Sequence, residues 1–496
     1  MATASSTAVG QTTTSSYSIP FVIGASAAGT IIEWYDFYLY AVLTPFLAPI
    51  FFPPGDPTSQ LLSAFAVYGA GFAVRPFGAI VFGRIGDVIG RKYAFLLTVS
   101  LMGGATLLVG VLPTYAQIGI LAPIILVTFR MLQGLALGGE YGGAAIYVAE
   151  HAPDHKRGLY TSWIQTTATV GLFAALAVIF ITRQALGDET YRAWAWRLPF
   201  LLSAVLVAFA LYIRLRLRET PLFQRLKDAG QTATGTGAWA RNSFSGNKVG
   251  LILLVLIGMT AGQAVVWYQG QFQALNFLTV YLRANYTTAY TILLIAIALA
   301  TPFFIFFGWL SDRIGRKPVI LGGCVLAAVT YVPLYQAMIA NANVTYDATG
   351  KITGANPNIL VETILVWIQI VYVTMVYGPI AAFLVEYFPA RARYTLLSIP
   401  YHLGNGEFGG WLPFIYTGIV AATVVGAGYQ PFFGLDLRGL NGSGDANGNL
   451  LAGLIYTIGV AVMTAVVGWF FIPETKDRKI WEEVGGHTAP AAAPAR

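Results

Sequence analysis

The sequence has few charged residues and almost no cysteine. Only 10% of its 496 residues are Asp, Glu, Lys or Arg, whereas soluble domains carry about 25%. The single cysteine, Cys324, excludes a disulfide framework and a thiolate metal site, and the four histidines show no metal-ligand spacing. We therefore expect no metal and no bound cofactor. Residues 1–18 contain no Lys or Arg, so we interpret them as a disordered tail rather than a cleaved signal peptide.

Apolar residues make up 56% of the chain and fall in long runs. A membrane-spanning helix needs about 20 mainly apolar residues, and twelve stretches meet this requirement. We number them spans 1 to 12: 20–51, 60–83, 93–113, 119–149, 158–182, 197–214, 248–281, 286–310, 318–340, 359–387, 394–426 and 451–472. The sequence therefore predicts an all-α integral membrane protein with twelve transmembrane helices.

Lysine and arginine lie mostly on one side of these spans. Loops and tails on the side that carries Asp87 hold 21 of them, and those on the other side hold 6. Because basic residues accumulate in cytoplasmic loops, we expect the Asp87 side and both termini to be cytoplasmic. The net charge of +7 is explained by this topology and does not indicate a nucleic-acid surface.

Two short motifs each occur twice. Gly83 to Lys92 shares six of ten positions with Gly308 to Lys317, and both lie between two apolar runs, where we expect a turn. A Glu followed by Pro after three residues and Arg after seven closes span 4 at Glu150 and span 10 at Glu386. Repeats at matching places predict two pseudo-symmetric six-helix bundles. The predicted domains are a tail (1–18), a first bundle (19–214), a cytoplasmic linker (215–247), a second bundle (248–474) and a tail (475–496).

The doubled loop motif resembles that of the major facilitator superfamily. Further stretches are similar to its metabolite:proton symporter family, which includes proline/betaine, α-ketoglutarate, shikimate and citrate permeases. These stretches are Ile32 to Phe37, Arg130 to Gly134, and Gly138 to Gly143 continuing to Glu150. The superfamily usually has Arg at the position of Val88. Span 5 also lacks the Gly-Pro-rich pattern of proton-driven drug antiporters. The resemblance implies a secondary transporter that works by alternating access, and it favours symport.

Ionisable residues inside the spans are costly and therefore indicate function. Glu33 and Asp36 lie one turn apart in span 1, where mutual repulsion favours proton binding by at least one of them. The resemblance implies that Arg130 in span 4 takes part in proton coupling, and we expect it to pair with Asp36 or Glu33 in the absence of substrate. A permanent structural pair is the alternative. Glu140, among glycines that we interpret as packing residues, is a second proton candidate or a partner of Arg75.

Polar residues at membrane depth are the candidates for substrate binding. Arg75 and Arg130 suit a carboxylate, because a guanidinium binds it through two parallel hydrogen bonds; structural pairing is the alternative for each. Span 7 is too polar for a lipid-facing helix, whereas a lone His402 in span 11 is more typical of a structural residue. The other candidate lining residues are Tyr35, Trp267, Gln269, Gln273 and Glu407.

The residues of the repeated motifs are candidates for gating. The resemblance implies that such residues latch the cytoplasmic ends of the bundles in an outward-open state and do not touch substrate. They are Asp87, Arg91, Asp312, Arg316, Glu150, Arg157, Glu386 and Arg393.

Together these features predict a proton-coupled symporter that imports a small polar metabolite, with an organic acid as first candidate. A zwitterionic osmolyte such as proline or betaine, and a proton-driven efflux antiporter, are the alternatives. The sequence has no nucleophile motif and no phosphate loop, which argues against an enzyme. We expect a monomer in the bacterial inner membrane that interacts with substrate, protons and lipid. The loops 341–358 and 430–449 have no predicted role.

Replacement of Asp36 by Asn tests the predicted proton site. The Asp36→Asn variant should lose proton-driven accumulation but keep substrate exchange, because exchange needs no net proton movement. Uphill uptake and exchange are measured in the same proteoliposomes. Uphill uptake at the wild-type level would exclude Asp36 as the proton carrier.

Overall fold

A computed structural model describes residues 19–88, 91–139, 141–216, 245–389, 393–425, 429–441 and 446–480. Within these ranges helix occupies all twelve predicted spans. Nine of the described spans are long and apolar enough to cross a membrane by composition alone. The other three are spans 1, 3 and 11, and the apolar part of span 3 is the shorter stretch Leu96–Val111. The all-α membrane fold with two bundles is confirmed.

The first bundle contains spans 1 to 6, and spans 2 and 4 are each interrupted once. Its helices are Ile19–Phe51 (span 1), Pro57–Ala73 and Arg75–Val88 (span 2), Arg91–Val111 (span 3), Leu121–Gly138 and Tyr141–His151 (span 4), Arg157–Leu186 (span 5) and Leu198–Arg216 (span 6). Two short helices, Tyr115–Ile118 and Asp188–Ala193, lie in the connections.

The second bundle repeats this plan, with interruptions in spans 8, 10 and 11. Its helices are Lys248–Tyr281 (span 7), Tyr286–Ala300 and Pro302–Ile314 (span 8), Arg316–Asn341 (span 9), Ile359–Tyr377 and Ile380–Tyr387 (span 10), Arg393–Leu403, Gly404–Gly410 and Leu412–Ala421 (span 11), and Leu454–Phe471 (span 12).

The repeated motif is mostly helical, so the turn predicted for its whole length is wrong. Helix continues to Val88 in the first copy and to Ile314 in the second, and only Gly315 separates spans 8 and 9. Gly315 has φ +113°, a backbone conformation that residues with a Cβ rarely adopt. The carboxylate of Glu474 accepts hydrogen bonds from the backbone amides of Arg316 and Lys317, at 2.9 and 3.0 Å. These bonds cap the start of span 9.

Spans 7 and 11 contain π-helical segments. They are Leu256–Thr260, Gln269–Gln273 and Phe277–Tyr281 in span 7, and Gly404–Gly410 in span 11. Such segments are rare and are common at functional sites. The two spans contact each other close to these segments, since Gln263 and Asn405 exchange hydrogen bonds of 3.2 Å. Each π-helical segment turns the following residues to a new face of the helix.

A small β-hairpin lies in the polar loop 341–358, in an otherwise helical fold. Strand β1 (Val344–Tyr346) pairs antiparallel with strand β2 (Ile352–Ala355). Asn447, in the connection between spans 11 and 12, accepts the Ile352 amide at 2.9 Å and donates to the Gly350 carbonyl at 2.9 Å. The two polar loops are therefore fastened to each other.

Spans 2 and 4 pack backbone against backbone. A Cβ on Gly134 would lie 1.5 Å from the Gly71 carbonyl oxygen, and one on Gly138 would lie 2.1 Å from that of Arg75. The interpretation of these glycines as packing residues is confirmed. Their contact also fixes the two helices that carry Arg75 and Arg130.

A bulky side chain at this crossing should separate the helices. Gly134→Val should lower stability by at least about 2 kcal/mol, because the backbone on both sides cannot yield as a side chain does. Thermal unfolding of the purified protein measures the effect. Gly104→Ala is the matched control, since nothing lies within 4 Å of its added Cβ, and it should be neutral or stabilising by up to about 1 kcal/mol. Equal stability of the two variants would contradict the packing role.

Candidate substrate and proton site between the two bundles

Aromatic side chains from both bundles meet midway along the interface. Tyr38 stacks on Trp267 with ring centroids 5.5 Å apart, and Phe72 meets Tyr268 edge to face at 5.5 Å. Span 1, which supplies Tyr38, packs along spans 2 and 5. The result is an apolar cage at the centre of the interface, built equally from spans 1 and 2 and from span 7.

Arg75 is buried in this cage without an anionic partner. Its guanidinium carbon lies 3.9 Å from the Phe72 ring centroid, 4.5 Å from that of Phe37 and 5.8 Å from that of Trp34. The side chain is 0% exposed, and none of its three nitrogens makes a hydrogen bond of standard geometry within the described ranges, although the Tyr268 hydroxyl is a polar neighbour. Aromatic rings cover the faces of the guanidinium, while the N–H groups in its plane remain available. This is the geometry that a carboxylate requires.

The predicted pair between Arg130 and an acid of span 1 is not present among the described residues. Arg130 donates to Gln133 at 2.7 Å and to the Phe37 carbonyl at 3.4 Å, and its guanidinium carbon lies 4.4 Å from the Phe37 ring centroid. The expected pair with Asp36 is absent because residues 36 and 37 project about 100° apart on a helix, and residue 37 faces span 4. Two arginine side chains therefore share the Phe37 ring.

Asp36 and Glu33 have different surroundings. Asp36 is 1% exposed and accepts a short hydrogen bond from Ser203 in span 6. Its other oxygen has no partner, and it forms no ion pair, among the residues that the structure describes. Glu33 faces the other bundle and lines a cavity there. Of the two carboxyls, only Glu33 lines the cavity.

A cavity lies between the bundles beside the aromatic cage. On its inner side the Tyr141 and Tyr401 rings stack at 3.5 Å, and the Tyr377 and Tyr401 hydroxyls lie 2.6 Å apart. Gln165 donates to the Tyr141 hydroxyl at 2.9 Å and to the Tyr377 carbonyl at 3.0 Å, which ties the two bundles together. The lining residues are Thr30, Glu33, Trp34, Leu137, Tyr141, Ala144, Ile164, Gln165, Thr167, Tyr377, Tyr401 and His402.

Several predicted lining residues lie elsewhere. Tyr35 donates its hydroxyl to the Pro199 carbonyl at 2.8 Å, so it packs on span 6. Gln269 is hydrogen-bonded at 2.7 Å to both Tyr335 and Thr457 inside the second bundle. Gln273 and Glu407 do not line this cavity; both lie in π-helical segments, which change the face that a residue presents. Glu407 nevertheless lies close enough to Arg75 to interact with it electrostatically, so its predicted role stays a prediction.

Trp267 lies against Tyr38 at the interface but is not among the residues that line the cavity, so its predicted role in substrate binding stays a prediction. Its indole N–H is buried and has no hydrogen-bond partner in the described part of the chain. Buried polar groups normally have one, so this donor is available to a solute. Gln165 and His402 are not among the predicted site residues. Gln165 lies among threonine residues in span 5, and nothing in the sequence distinguishes it from them.

Four candidate gating residues form one buried cluster at the end of the interface where the repeated motifs lie. Arg157 contacts Glu386 across the bundles at 2.9 Å, and Arg316 contacts the same carboxylate at 3.0 Å. Asp312 accepts the Gly158 and Leu159 amides at 2.8 Å each, where the positive end of the span 5 helix dipole favours a carboxylate. We call these four residues the ion cluster: Arg157, Asp312, Arg316 and Glu386.

Other candidates are placed outside this cluster or outside the description. Arg393 donates to the Phe388 carbonyl at 3.1 Å within its own bundle. The side chains of Asp87, Arg91 and Glu150, and the whole of Glu140, lie outside the described residues, so their predicted roles stay predictions.

The opposite end of the interface is also closed. The Arg183 guanidinium carbon lies 3.3 Å from the Tyr286 ring centroid, between spans 5 and 8. Gln430, in the loop after span 11, donates to Asp56 at 2.8 Å and to Ser59 at 2.7 Å at the start of span 2. With the ion cluster at the other end, the cavity is enclosed between two sets of contacts. These closing contacts are not predictable from the sequence, because their residues lie outside the repeated motifs.

Neutralising Glu386 tests the ion cluster. Glu386→Gln leaves Arg157 and Arg316 buried with weaker partners, which should destabilise the closed state by about 3–5 kcal/mol and favour opening at this end. Ser398 of the second bundle faces Gly142 of the first. A Ser398→Cys substitution therefore reports opening between the bundles through the alkylation rate of the new thiol. The native Cys324 is buried. Asp188→Asn is the control, because Asp188 forms an ion pair with Arg183 at the opposite end of the interface. Unchanged alkylation in Glu386→Gln would show that the cluster does not hold this end closed.

Sequence comparison places the chain among known membrane transporters. The model of the "Sugar (and other) transporter" family matches residues 21–252. The chain is 35% identical over 395 residues to the alpha-ketoglutarate permease of Escherichia coli (strain K12), covering 78% of this chain and 84% of the permease. It is 33% identical over 330 residues to the proline/betaine transporter of Salmonella typhimurium, covering 65% of each chain, which is just under two thirds of that transporter's length.

Structural comparison agrees on the fold. The chain superposes on a partially occluded inward open conformation of the xylose transporter XylE from E. coli with a TM-score of 0.66 at 16% identity, covering 94% of this chain and 100% of that one. A second XylE structure, described as an MFS (major facilitator superfamily) proton:xylose symporter, gives the same TM-score at 18% identity and covers 94% of this chain and 98% of its own. These likenesses show that the relatives are transporters and not enzymes. The sequence match to the alpha-ketoglutarate permease, together with the two bundles and paired motifs of the described residues, shows that the chain belongs to the major facilitator superfamily of multi-pass membrane transporters.

Proposed function

We propose that this protein is a proton-coupled symporter that imports an organic acid and binds its carboxylate with Arg75. The observation that carries the proposal is the buried, unpartnered guanidinium between the two bundles. An uncompensated charge in a low-dielectric site costs several kcal/mol, and that cost persists in the structure unless a ligand offsets it. A carboxylate entering the cage offsets it and gains paired, charge-assisted hydrogen bonds.

Position supports a transport role for this cation. Arg75 begins the second helix of span 2, directly after the interruption at Val74. Its neighbour Phe72 contacts Phe37 in the first bundle and Tyr268 in the second, at the centre of the interface. An alternating-access transporter holds its substrate at such a midpoint, where either set of end contacts can release it. One relative is named for transport of alpha-ketoglutarate, which is an organic acid, and this agrees with the proposed class of substrate.

Proton coupling is assigned to the acids of span 1, together with Arg130 and Glu140. Asp36 has one oxygen without a partner in the described ranges and a single hydroxyl donor on the other. An ionised carboxyl in such a site is costly, so a proton should accompany substrate through the closed state. No resident cofactor is needed for this cycle, and the monomer contains the complete site.

Orientation follows from charge. The end that carries the ion cluster also carries most of the lysine and arginine, 21 against 6, so we place it in the cytoplasm with both termini. A monoanion that enters with one proton moves no net charge and draws only on the pH gradient. A zwitterion with one proton moves one positive charge, which gains about 2.3 kcal/mol per 100 mV of membrane potential.

A zwitterion is the second candidate, because Glu33 and three aromatic residues line the cavity next to the cage. Trp34, Tyr141 and Tyr401 lie with Glu33 in its wall. Aromatic faces and a carboxylate suit a quaternary or secondary ammonium, while Arg75 takes the carboxylate. Measuring transport with the membrane potential clamped to zero separates the two classes.

Removing the Arg75 charge tests the proposal. Arg75→Gln should weaken binding of the acid by roughly 30- to 1000-fold, since a charge-assisted pair is lost, yet it should raise the stability of the empty protein by about 1–4 kcal/mol. Acid-induced alkalinisation of a weakly buffered cell suspension measures transport, and thermal unfolding measures stability. The opposite signs distinguish a substrate ligand from a structural cation.

Arg197→Gln is the matched control. Arg197 is partly buried and donates to the Gly110 and Leu112 carbonyls at 2.9 and 2.8 Å, so its loss should reduce stability and leave affinity for the acid unchanged. Wild-type affinity in Arg75→Gln, or acidification of the medium when the acid is added to wild-type cells, would refute acid symport through Arg75.

A further inference from the structure

His402 is buried without any hydrogen-bond partner. It lies in span 11, its side chain is 1% exposed, and neither ring nitrogen has a partner among the described residues. Buried polar atoms are normally satisfied, and an unsatisfied one costs about 1–3 kcal/mol. A structural histidine normally makes at least one such bond, so the absence of one favours a ligand-binding role for this residue.

Asn405, one helical turn further along, shows what a structural polar residue looks like here. Its side chain exchanges two hydrogen bonds of 3.2 Å with Gln263 and donates a third to the Tyr401 carbonyl at 3.0 Å. These bonds fasten span 11 to span 7. The same helix therefore carries one fully bonded polar side chain and one that is left without partners.

The unpartnered imidazole lines the cavity beside Arg75. His402 shares the cavity wall with Trp34, and Trp34 lies 5.8 Å from the Arg75 guanidinium carbon. The carbonyl oxygen of the Gln165 side chain lines the same cavity and also has no partner in the described part of the chain. A solute held by Arg75 can therefore extend towards two neutral polar groups.

The chemistry of these groups selects the part of the solute that meets them. A neutral imidazole offers one N–H donor and one acceptor nitrogen, and the Gln165 oxygen only accepts. A hydroxyl group can donate and accept, so it satisfies both. A second carboxylate only accepts, and it would also face Glu33 across the cavity. A methylene group would leave every one of these atoms unsatisfied.

We propose that His402 is a specificity residue that hydrogen-bonds a hydroxyl group of the substrate, so that the protein selects hydroxylated carboxylic acids over their deoxy analogues. This inference rests on the proposed function, because it takes the carboxylate on Arg75 as given. His402 determines which acid is preferred, and Arg75 determines that an acid is bound.

Matched pairs of acids test this directly. Competition against uptake in proteoliposomes gives the affinities of glycerate against propionate, 3-hydroxybutyrate against butyrate, and malate against succinate. Wild-type protein should favour the hydroxylated member of at least one pair by about tenfold or more. His402→Leu should abolish that preference and leave the affinity of the deoxy member within about twofold, because only the bond to the hydroxyl is lost.

Stability supplies a second readout that does not depend on transport. His402→Leu should raise the unfolding temperature of the empty protein, since it removes unsatisfied buried nitrogens, whereas the control Asn405→Leu should lower it by breaking three hydrogen bonds. His402→Gln, which keeps a donor and an acceptor, should retain part of the hydroxyl preference. It serves as the transport variant if His402→Leu does not fold.

Failure of this inference is distinct from failure of the proposed function. An unchanged hydroxyl preference in His402→Leu, or no preference in the wild type, overturns the role of His402 while acid symport stands. Equal uptake of the methyl esters of these acids, or uptake of betaine but of no acid, overturns the proposed function itself.

Discussion

A charge buried in a low-dielectric interior must find an opposite charge, and the two regions of this interface answer that requirement differently. In the ion cluster, Glu386 is shared by Arg157 and Arg316, while Asp312 caps the first amides of span 5. At the centre, Arg75 has aromatic rings on its faces and forms no ion pair with a described residue, and Glu407 is an acid that interacts with it at longer range. Pairing is thus complete where the protein must hold itself closed, and incomplete where something else must bind.

The backbone is shaped to allow this contrast. Glycines let spans 2 and 4 touch backbone to backbone, so that Arg75 and Arg130 are held on two helices that cannot separate. The π-helical segments of spans 7 and 11 lie on the facing side of the interface. One bundle therefore presents rigidly placed cations, and the other presents helices whose hydrogen-bond pattern is already irregular. Irregular helix is the less costly element to deform during transport.

Much of this arrangement is readable from the sequence, because the apolar runs and the repeated motifs are strong signals. Arg75 and Arg130 are recognisable as site residues simply because they interrupt apolar runs. The partner of Arg130 is not predictable in the same way, since it depends on whether residue 36 or residue 37 faces span 4. An error of one position is about 100° of rotation.

Span 7 shows a different reason for failure. A constant period of 3.6 residues places Gln269 and Gln273 on one face, but a π-helical segment from Gln269 to Gln273 changes that period. Gln269 consequently bonds to Tyr335 and Thr457 inside the bundle. Contacts across the bundles, such as that of Arg183 with Tyr286, involve residues about 100 positions apart outside any repeat, and a single sequence holds no information on them.

The tight crossing of spans 5 and 8 has a mechanical consequence. A Cβ on Gly158 would lie 2.5 Å from the Gly308 carbonyl oxygen, and one on Gly308 would lie 2.6 Å from that of Gly158, so the backbones of the two helices touch near one end. Arg183 lies 25 residues further along span 5, or about 38 Å. With the crossing as a fulcrum, a tilt of about 10° displaces the far end by about 6–7 Å along this lever arm. A rotation that leaves the glycine contact in place is therefore large enough to separate Arg183 from Tyr286. The length of span 5 lets a small change in angle open this end of the interface.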